Sequence, residues 1–215
     1  VQTCALPIWR RRVTRMSVGT TTAERAGRAG PSAATIAIAT LGIVVTLAVI
    51  ELGLGRPGIC PCGSVRLWTG AVWSAENSQQ LSDWYSPSHM IHGLIAYAIA
   101  RLVLRGAAWS WALPIMALGE AAWELVENSP IIIERYRAAT AAVGYSGDSV
   151  VNSVSDLAMM VTGFLIASWL PARASIALAL GFELLTLATA RDNLTLNVLM
   201  LAHPVPAIRA WQAGA

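Results

Sequence analysis

A chain of 215 residues that is 55% hydrophobic and only 13% charged, with a mean hydropathy of +0.56, is too apolar for an ordinary soluble domain and has room for about five membrane spans. All 15 basic residues are arginine, the net charge is +3, and Arg10, Arg11, Arg12, Arg15, Arg25 and Arg28 crowd the first 28 residues. That clustering is a topology signal rather than a nucleic-acid footprint, so the partners expected are membrane lipids and no nucleic acid; the oligomeric state is left open.

Residues 1–15 read as foreign to the natural chain, with Met16 as its start, and the Arg-, Gly- and Thr-rich stretch to residue 32 reads as a disordered cytoplasmic tail. Residues 33–215 read as one transmembrane helical domain. Ala33 to Leu54 is the first span, uncharged until Glu51, and the arginines before it place the amino terminus in the cytoplasm of a bacterial cell, with the domain in the inner membrane. Gly55 to Ser88 then makes an external loop whose Trp68, Trp73 and Trp84 suit a headgroup-level belt. Of the three cysteines only Cys60 and Cys62 could act together; a disulfide across one residue is strained and two thiols are half a zinc site, so they read as incidental loop residues.

The second span runs inward from His89 to Leu104 and ends in Arg101 and Arg105; the third returns from Ala107 to Val126 and is stopped by Asn128-Ser129-Pro130. Residues 129–147 form a second external segment with a short interfacial helix through Ile131 and Tyr136. The fourth span, Asp148 to Leu170, organises the rest, because Asp148, Asn152 and Asp156 stand four residues apart on one helical face and descend roughly 12 Å into an apolar segment. The fifth is Ser175 to Ala190. Leu194 to Leu201 is too short to cross and reads as a re-entrant or interfacial piece. The expected fold is therefore all-α, a polytopic bundle of about five spans plus that short C-terminal helix. No transporter-like internal repeat is visible.

With this topology, His89 and His92, then Glu124, Glu127 and Asn128, then Asp148 and Asn152, then Arg191, Asp192 and Asn193 all come to one side of the membrane, with Glu120, Asp156 and Glu183 a turn or two deeper. Eight of the twelve acids lie in or beside apolar segments, where an unpaired carboxylate costs about 2.5 to 3.5 kcal/mol. Helix-borne Glu and His at intervals of three and four residues are how bundle cores build metal sites, and carboxylate and amide oxygens suit Mg, Mn or Ca, with histidine adding Zn or Fe. The candidate metal ligands are His89, Glu127, Asp148, Asn152 and Asp156; the candidate catalytic residues are Asp148, Glu124 and His92; and Arg191, Asn193 and Asn128 are the candidate substrate contacts, with Arg191 on a phosphate. Each has a plainer reading. The histidines serve equally as structural hydrogen-bonding groups, the deeper glutamates as glue between helices, and Arg191 as a snorkelling helix end.

The blocks Asp83-Trp84-Tyr85-Ser86-Pro87-Ser88-His89, Trp123 to Pro130, Gly147 to Ser153 and Arg191 to Asn197 resemble an uncharacterised family of bacterial inner-membrane proteins known only as a domain of unknown function, over about residues 35–212. That resemblance implies a multi-pass membrane protein and no particular activity. A wider outline is similar to VanZ-like membrane proteins: His92 and Tyr97, then Glu120 or Glu124, then Asp148, Asn152 or Asp156, then Gly163. The long Asn128 to Gly147 segment departs from it. The leading expectation is an integral membrane protein with a periplasm-facing polar pocket for a divalent cation, acting on a lipid or lipid-linked envelope substrate as a metal-dependent hydrolase if it is an enzyme. The alternatives are a small proton- or cation-coupled transporter and a non-catalytic assembly factor.

Overall fold

Ser32 starts the first helix by accepting the Thr35 amide on its hydroxyl at 3.1 Å, after which no charged residue interrupts the run until Glu51. The computed structural model describes residues 30–72, 74–142 and 144–214. Among these the chain is helical with no strand: α1 (Ala33–Gly53), α2 (Ser86–Val103), a 3-10 helix (Gly106–Trp111), α3 (Ala112–Glu127), α4 (Pro130–Ala139), α5 (Val150–Trp169), α6 (Ala172–Ala190), α7 (Leu194–Ala202) and α8 (Pro206–Gln212). The arginine-rich stretch to residue 29, with Cys4 and Met16, and Trp73 in the long loop lie outside the described residues.

Three helices, α1, α5 and α6, are long and apolar enough to cross a membrane, against the five expected. The other two fail for physical reasons. In α2, Ser86, Ser88, His89, His92 and Arg101 break up the apolar run; α3 has only 16 residues, because Gly106–Trp111 is wound as a 3-10 helix, and three of them are glutamates. The segment after α3 does contain a helix, α4, started by Pro130 and by Ser129, whose hydroxyl accepts the Ile132 amide at 3.4 Å. The C-terminal stretch is two short helices, α7 and α8, divided at His203 and Pro204.

α5 is the centre, with α2 crossing it most closely. The approach depends on two glycines: a methyl on Gly93 would lie 2.0 Å from the Met160 carbonyl oxygen, and one on Gly163 would lie 2.1 Å from that of Met90. Around this crossing, Leu47 of α1, Ala100 of α2, Ala117 and Ala121 of α3, and Leu157, Met160 and Phe164 of α5 form the apolar core. The outer faces are also apolar: Ile38, Leu41, Val45 and Val49 of α1 and Ile176, Leu180 and Leu184 of α6 are exposed. A face of that kind is stable in lipid and not in water.

The long segment between α1 and α2 folds back onto the start of α5. Val150 and Val151 donate their amides to the carbonyls of Pro57 and Gly58 at 2.9 and 3.2 Å, the Ser149 hydroxyl caps the Asn152 amide, and the Asn152 side chain donates to the Gln80 carbonyl at 2.9 Å. Every early amide of α5 is thereby met by protein. Arg56 adds to this by donating to the carbonyls of Ser146 and Asp148 at 2.6 to 2.9 Å, and Gly147, at φ +80°, leaves the space its guanidinium occupies. Cys60 and Cys62 are joined by a disulfide, which corrects their reading as incidental residues.

Candidate functional site

The start of α2, the end of α3, α4, the start of α5 and the start of α7 meet at one end of the bundle, around a cavity of about 250 Å³. His89, His92, Glu127, Asp148, Asp156 and Asp192 line it, together with Tyr85, Tyr136 and Tyr145. Tyr85 donates its hydroxyl to Asp192 at 3.2 Å and Tyr145 to Asp148 at 2.9 Å, while the Tyr136 hydroxyl stands between Asn197 Oδ1 at 2.8 Å and Glu127 Oε1 at 3.0 Å. Burial pushes all three phenols well above 10. They are hydrogen-bond donors at any ordinary pH.

α2 presents its two histidines to α3. Nδ1 of His89 and Nδ1 of His92 both lie on the same Glu120 oxygen, at 2.9 and 2.8 Å. An ionised carboxylate accepts only, so both rings carry their proton on Nδ1 and turn Nε2 away from Glu120. This is the arrangement by which a second carboxylate orients a ligating imidazole. His89 Nε2 lies 3.8 Å from Asp156 Oδ2, while its Nδ1, beside Glu120, is also 3.4 Å from Glu124 Oε1.

Glu124 is fully buried, and neither of its oxygens has a hydrogen-bond partner among the described residues; Oδ1 of Asp156, also buried, has none either. Ligand atoms of His89, Glu124 and Asp156 lie within 4.8 Å of one another, as do those of His89, His92 and Glu120, and of Glu124, Glu127 and Asp148. Among the described residues no arginine lines the cavity, and the sequence has no lysine. Several carboxylates packed together without a fixed positive charge need protons or cations to persist in an apolar interior. A donor set of carboxylate oxygens with one imidazole fits a divalent cation of the Mn or Zn kind.

Asn128 fixes the relation between helices. Its side-chain nitrogen donates to Asp148 Oδ2 at 3.0 Å and to the Ser153 hydroxyl at 3.2 Å, and its oxygen accepts the Asp148 amide at 2.6 Å. It is a scaffold for Asp148 rather than a cavity-lining contact. Burial raises the Asp148 carboxyl, opposed by the Tyr145 and Asn128 hydrogen bonds. Asp83, raised for the same reason, is tied to the amides of Ser78 and Tyr85 just before α2.

The structure does not bring every expected residue together. Asp148 precedes α5 instead of lying on its face, and Asn152 points to the Gln80 carbonyl, so of the three only Asp148 and Asp156 reach the cavity. Arg191 is exposed, holds the left-handed position that ends α6, and donates to the Trp211 carbonyl at 3.0 Å, away from the cavity. Asn193 caps α7 through the Leu196 amide, and Glu183 accepts the Leu194 and Thr195 amides at 2.9 and 3.1 Å instead of forming a floor to the cluster. Conversely, Glu51 on α1, fully buried with Asn128 at 3.4 Å, and the three tyrosines join the site without a sequence signal beyond their proximity to the polar blocks.

The family model described as "Protein of unknown function (DUF2585)" matches residues 51–214, which contain the entire cluster. The chain belongs to this family. DUF2585 relatives called UPF0314 proteins are 58% identical over 173 residues in Sphingopyxis alaskensis, covering 80% of this chain and 92% of the relative. The protein of Novosphingobium aromaticivorans is 53% identical over 182 residues (82% and 92%) and that of Paracoccus denitrificans 54% over 176 residues (82% and 91%). No solved structure matches. Nothing in these DUF2585 matches supports the VanZ-like outline.

Proposed function

We propose that this DUF2585 protein is a multi-pass inner-membrane protein that holds a divalent cation on His89, Glu124 and Asp156 and presents it, through the cavity, to a membrane lipid or lipid-linked envelope compound. The observation that carries the reading is Glu124: a carboxylate excluded from solvent, with both oxygens unpartnered, beside an imidazole whose Nδ1 lies 2.9 Å from Glu120. Uncompensated, such a group costs several kcal/mol, and a cation removes the cost.

The membrane reading is supported by three apolar helices and by the exposed aliphatic faces of α1 and α6. The arginines before α1, with Arg101 in the last turn of α2 and Arg105 just after it, favour the end of the bundle away from the cavity as cytoplasmic. The Cys60–Cys62 disulfide, at the cavity end, favours the periplasm there.

A bound divalent cation supplies Lewis-acid polarisation and lowers the pKa of a water. The chain's own groups have definite parts beside it. His92, whose Nδ1 is held by Glu120, lines the cavity and is placed to take or give a proton at Nε2. Asp148, held by Asn128 and Tyr145, faces the same space. Trp123, Leu194 and Val198 line the wall beside them and suit the apolar part of a lipid. With no arginine in the lining, an anionic headgroup is met by the cation and not by Arg191. A transporter is favoured less, because Leu47, Ala100, Leu157, Met160 and Phe164 pack as an apolar core within the bundle.

Elemental analysis of detergent-purified wild type beside Glu124→Gln and Asp156→Asn, after chelator treatment and re-addition of Mn, Mg, Ca or Zn, tests the proposal. Stoichiometric metal in wild type, lost in both folded variants, supports it. No metal in any sample, with both variants merely less stable, leaves a polar network that serves only helix packing and sinks the proposal.

A further inference from the structure

The geometry points to two cations rather than one: we propose a dinuclear centre in which Glu124 bridges a first ion on His89 and Asp156 and a second on Glu127 and Asp148. This inference rests on the metal reading above and extends it. Two sets of ligand atoms, His89–Glu124–Asp156 and Glu124–Glu127–Asp148, each lie within 4.8 Å, and Glu124 is the member they share. A carboxylate that serves one ion needs one oxygen free. Glu124 has two, both buried and unpartnered. Bridging carboxylates contributed by facing helices are how bundles hold ion pairs about 3.5 to 4 Å apart.

Charge leads to the same place. The two sets contain four carboxylates, Glu124, Glu127, Asp148 and Asp156, and one imidazole. With all four ionised, one divalent ion leaves two formal negative charges for protons to neutralise in a buried site without arginine or lysine in the cavity lining; two ions leave none. Glu120 lies outside this account because the two imidazole N–H donors already engage it.

The second set is also oriented from behind. Tyr145 and Asn128 hold the two oxygens of Asp148, and Tyr136 holds Oε1 of Glu127, leaving each carboxylate further lone pairs directed elsewhere. Its all-oxygen ligands favour a hard ion, and the imidazole of the first set favours a borderline one. Mn2+ satisfies both. Such a pair takes an oxyanion across its open positions and would meet the phosphate of a lipid headgroup without help from the protein's arginines.

The test is titration of chelator-treated protein in detergent with Mn2+, read as bound metal per chain and by electron paramagnetic resonance. Wild type is expected to bind two ions with a signal broadened by coupling between them. Asp148→Asn, and Glu127→Gln as an independent variant should the first fail to fold, are expected to bind one ion with the six-line spectrum of isolated Mn2+. One ion in wild type overturns the dinuclear centre and leaves the single-site reading standing. No ion in wild type overturns both. Two ions retained in folded Asp148→Asn and Glu127→Gln put the second ion elsewhere and overturn the assignment.

Discussion

Replacing Gly93 by alanine places a methyl group where α2 and α5 touch backbone to backbone. The new carbon would lie 2.0 Å from the Met160 carbonyl oxygen, 2.6 Å from the Phe164 nitrogen and 2.9 Å from the Gly163 carbonyl carbon. None of these atoms belongs to a side chain that can rotate away, so the helices must part by at least about 1 Å, and overpacking of this kind costs about 1–3 kcal/mol. His89 lies one turn before Gly93, and Asp156 one turn before Met160, so the separation also widens the 3.8 Å gap between His89 and Asp156. In detergent, the thermal midpoint of Gly93→Ala is expected to fall by roughly 5–10 °C, with bound metal reduced. Gly181→Ala is the control: it has nothing within 4 Å on its open helix face and is expected to be neutral or slightly stabilising. A Gly93→Ala protein within about 2 °C of wild type and with full metal content would refute the close crossing.

Further outcomes are expected from single positions. Glu124→Gln, which replaces a buried unpartnered charge by a neutral amide, should raise the midpoint of metal-free protein while removing any response to metal, measured by thermal denaturation with and without chelator. Burial holds Asp192 up at about 6, from an ordinary value of 3.8, against hydrogen bonds from Asn193 and Tyr85 that favour its charged form. The folded chain therefore keeps a proton that the unfolded chain loses between about pH 4 and 6. This group's contribution, about 3 kcal/mol, is present below that window and lost as pH rises through it. Asp192→Asn should flatten that slope in midpoint-against-pH curves. Gly147→Ala sets a side chain at φ +80° and 2.6 Å from the Arg56 guanidinium, and a loss of about 1–3 kcal/mol in denaturation is expected.

The polar cluster was legible where its spacing was local. His89 with His92, and Glu120 with Glu124, share faces by helical period alone, and alternation of helix direction sends the ends of α1, α2, α3, α5 and α6 to one side. What escaped was set by tertiary contacts. Four-residue spacing puts Asp148 and Asn152 on one face with Asp156, but the helix begins only at Val150, which leaves Asp148 before it, and the loop carbonyl of Gln80 claims the Asn152 amide. Arg191 and Glu183 were placed by charge and depth; instead the chain reverses after α6, so that Glu183 serves the open amides of α7 and Arg191 a carbonyl of α8. The span count erred because hydropathy was read across Gly106–Trp111, where the backbone winds as 3-10, and because α2 and α3 trade apolar residues for the polar ones that make the site. Nothing local in the sequence marks Gly93 and Gly163 as the crossing point, because each is required only by the backbone of the other helix.

The most direct test of the central claim is thermal unfolding of chelator-stripped wild type and Glu124→Gln, each with and without saturating Mn2+. Ligand at a hundredfold excess over its dissociation constant adds about 2.7 kcal/mol to a protein that binds it only when folded. The account predicts a rise of several degrees in wild type and none in Glu124→Gln. No rise in wild type, or an equal rise in both, would contradict it.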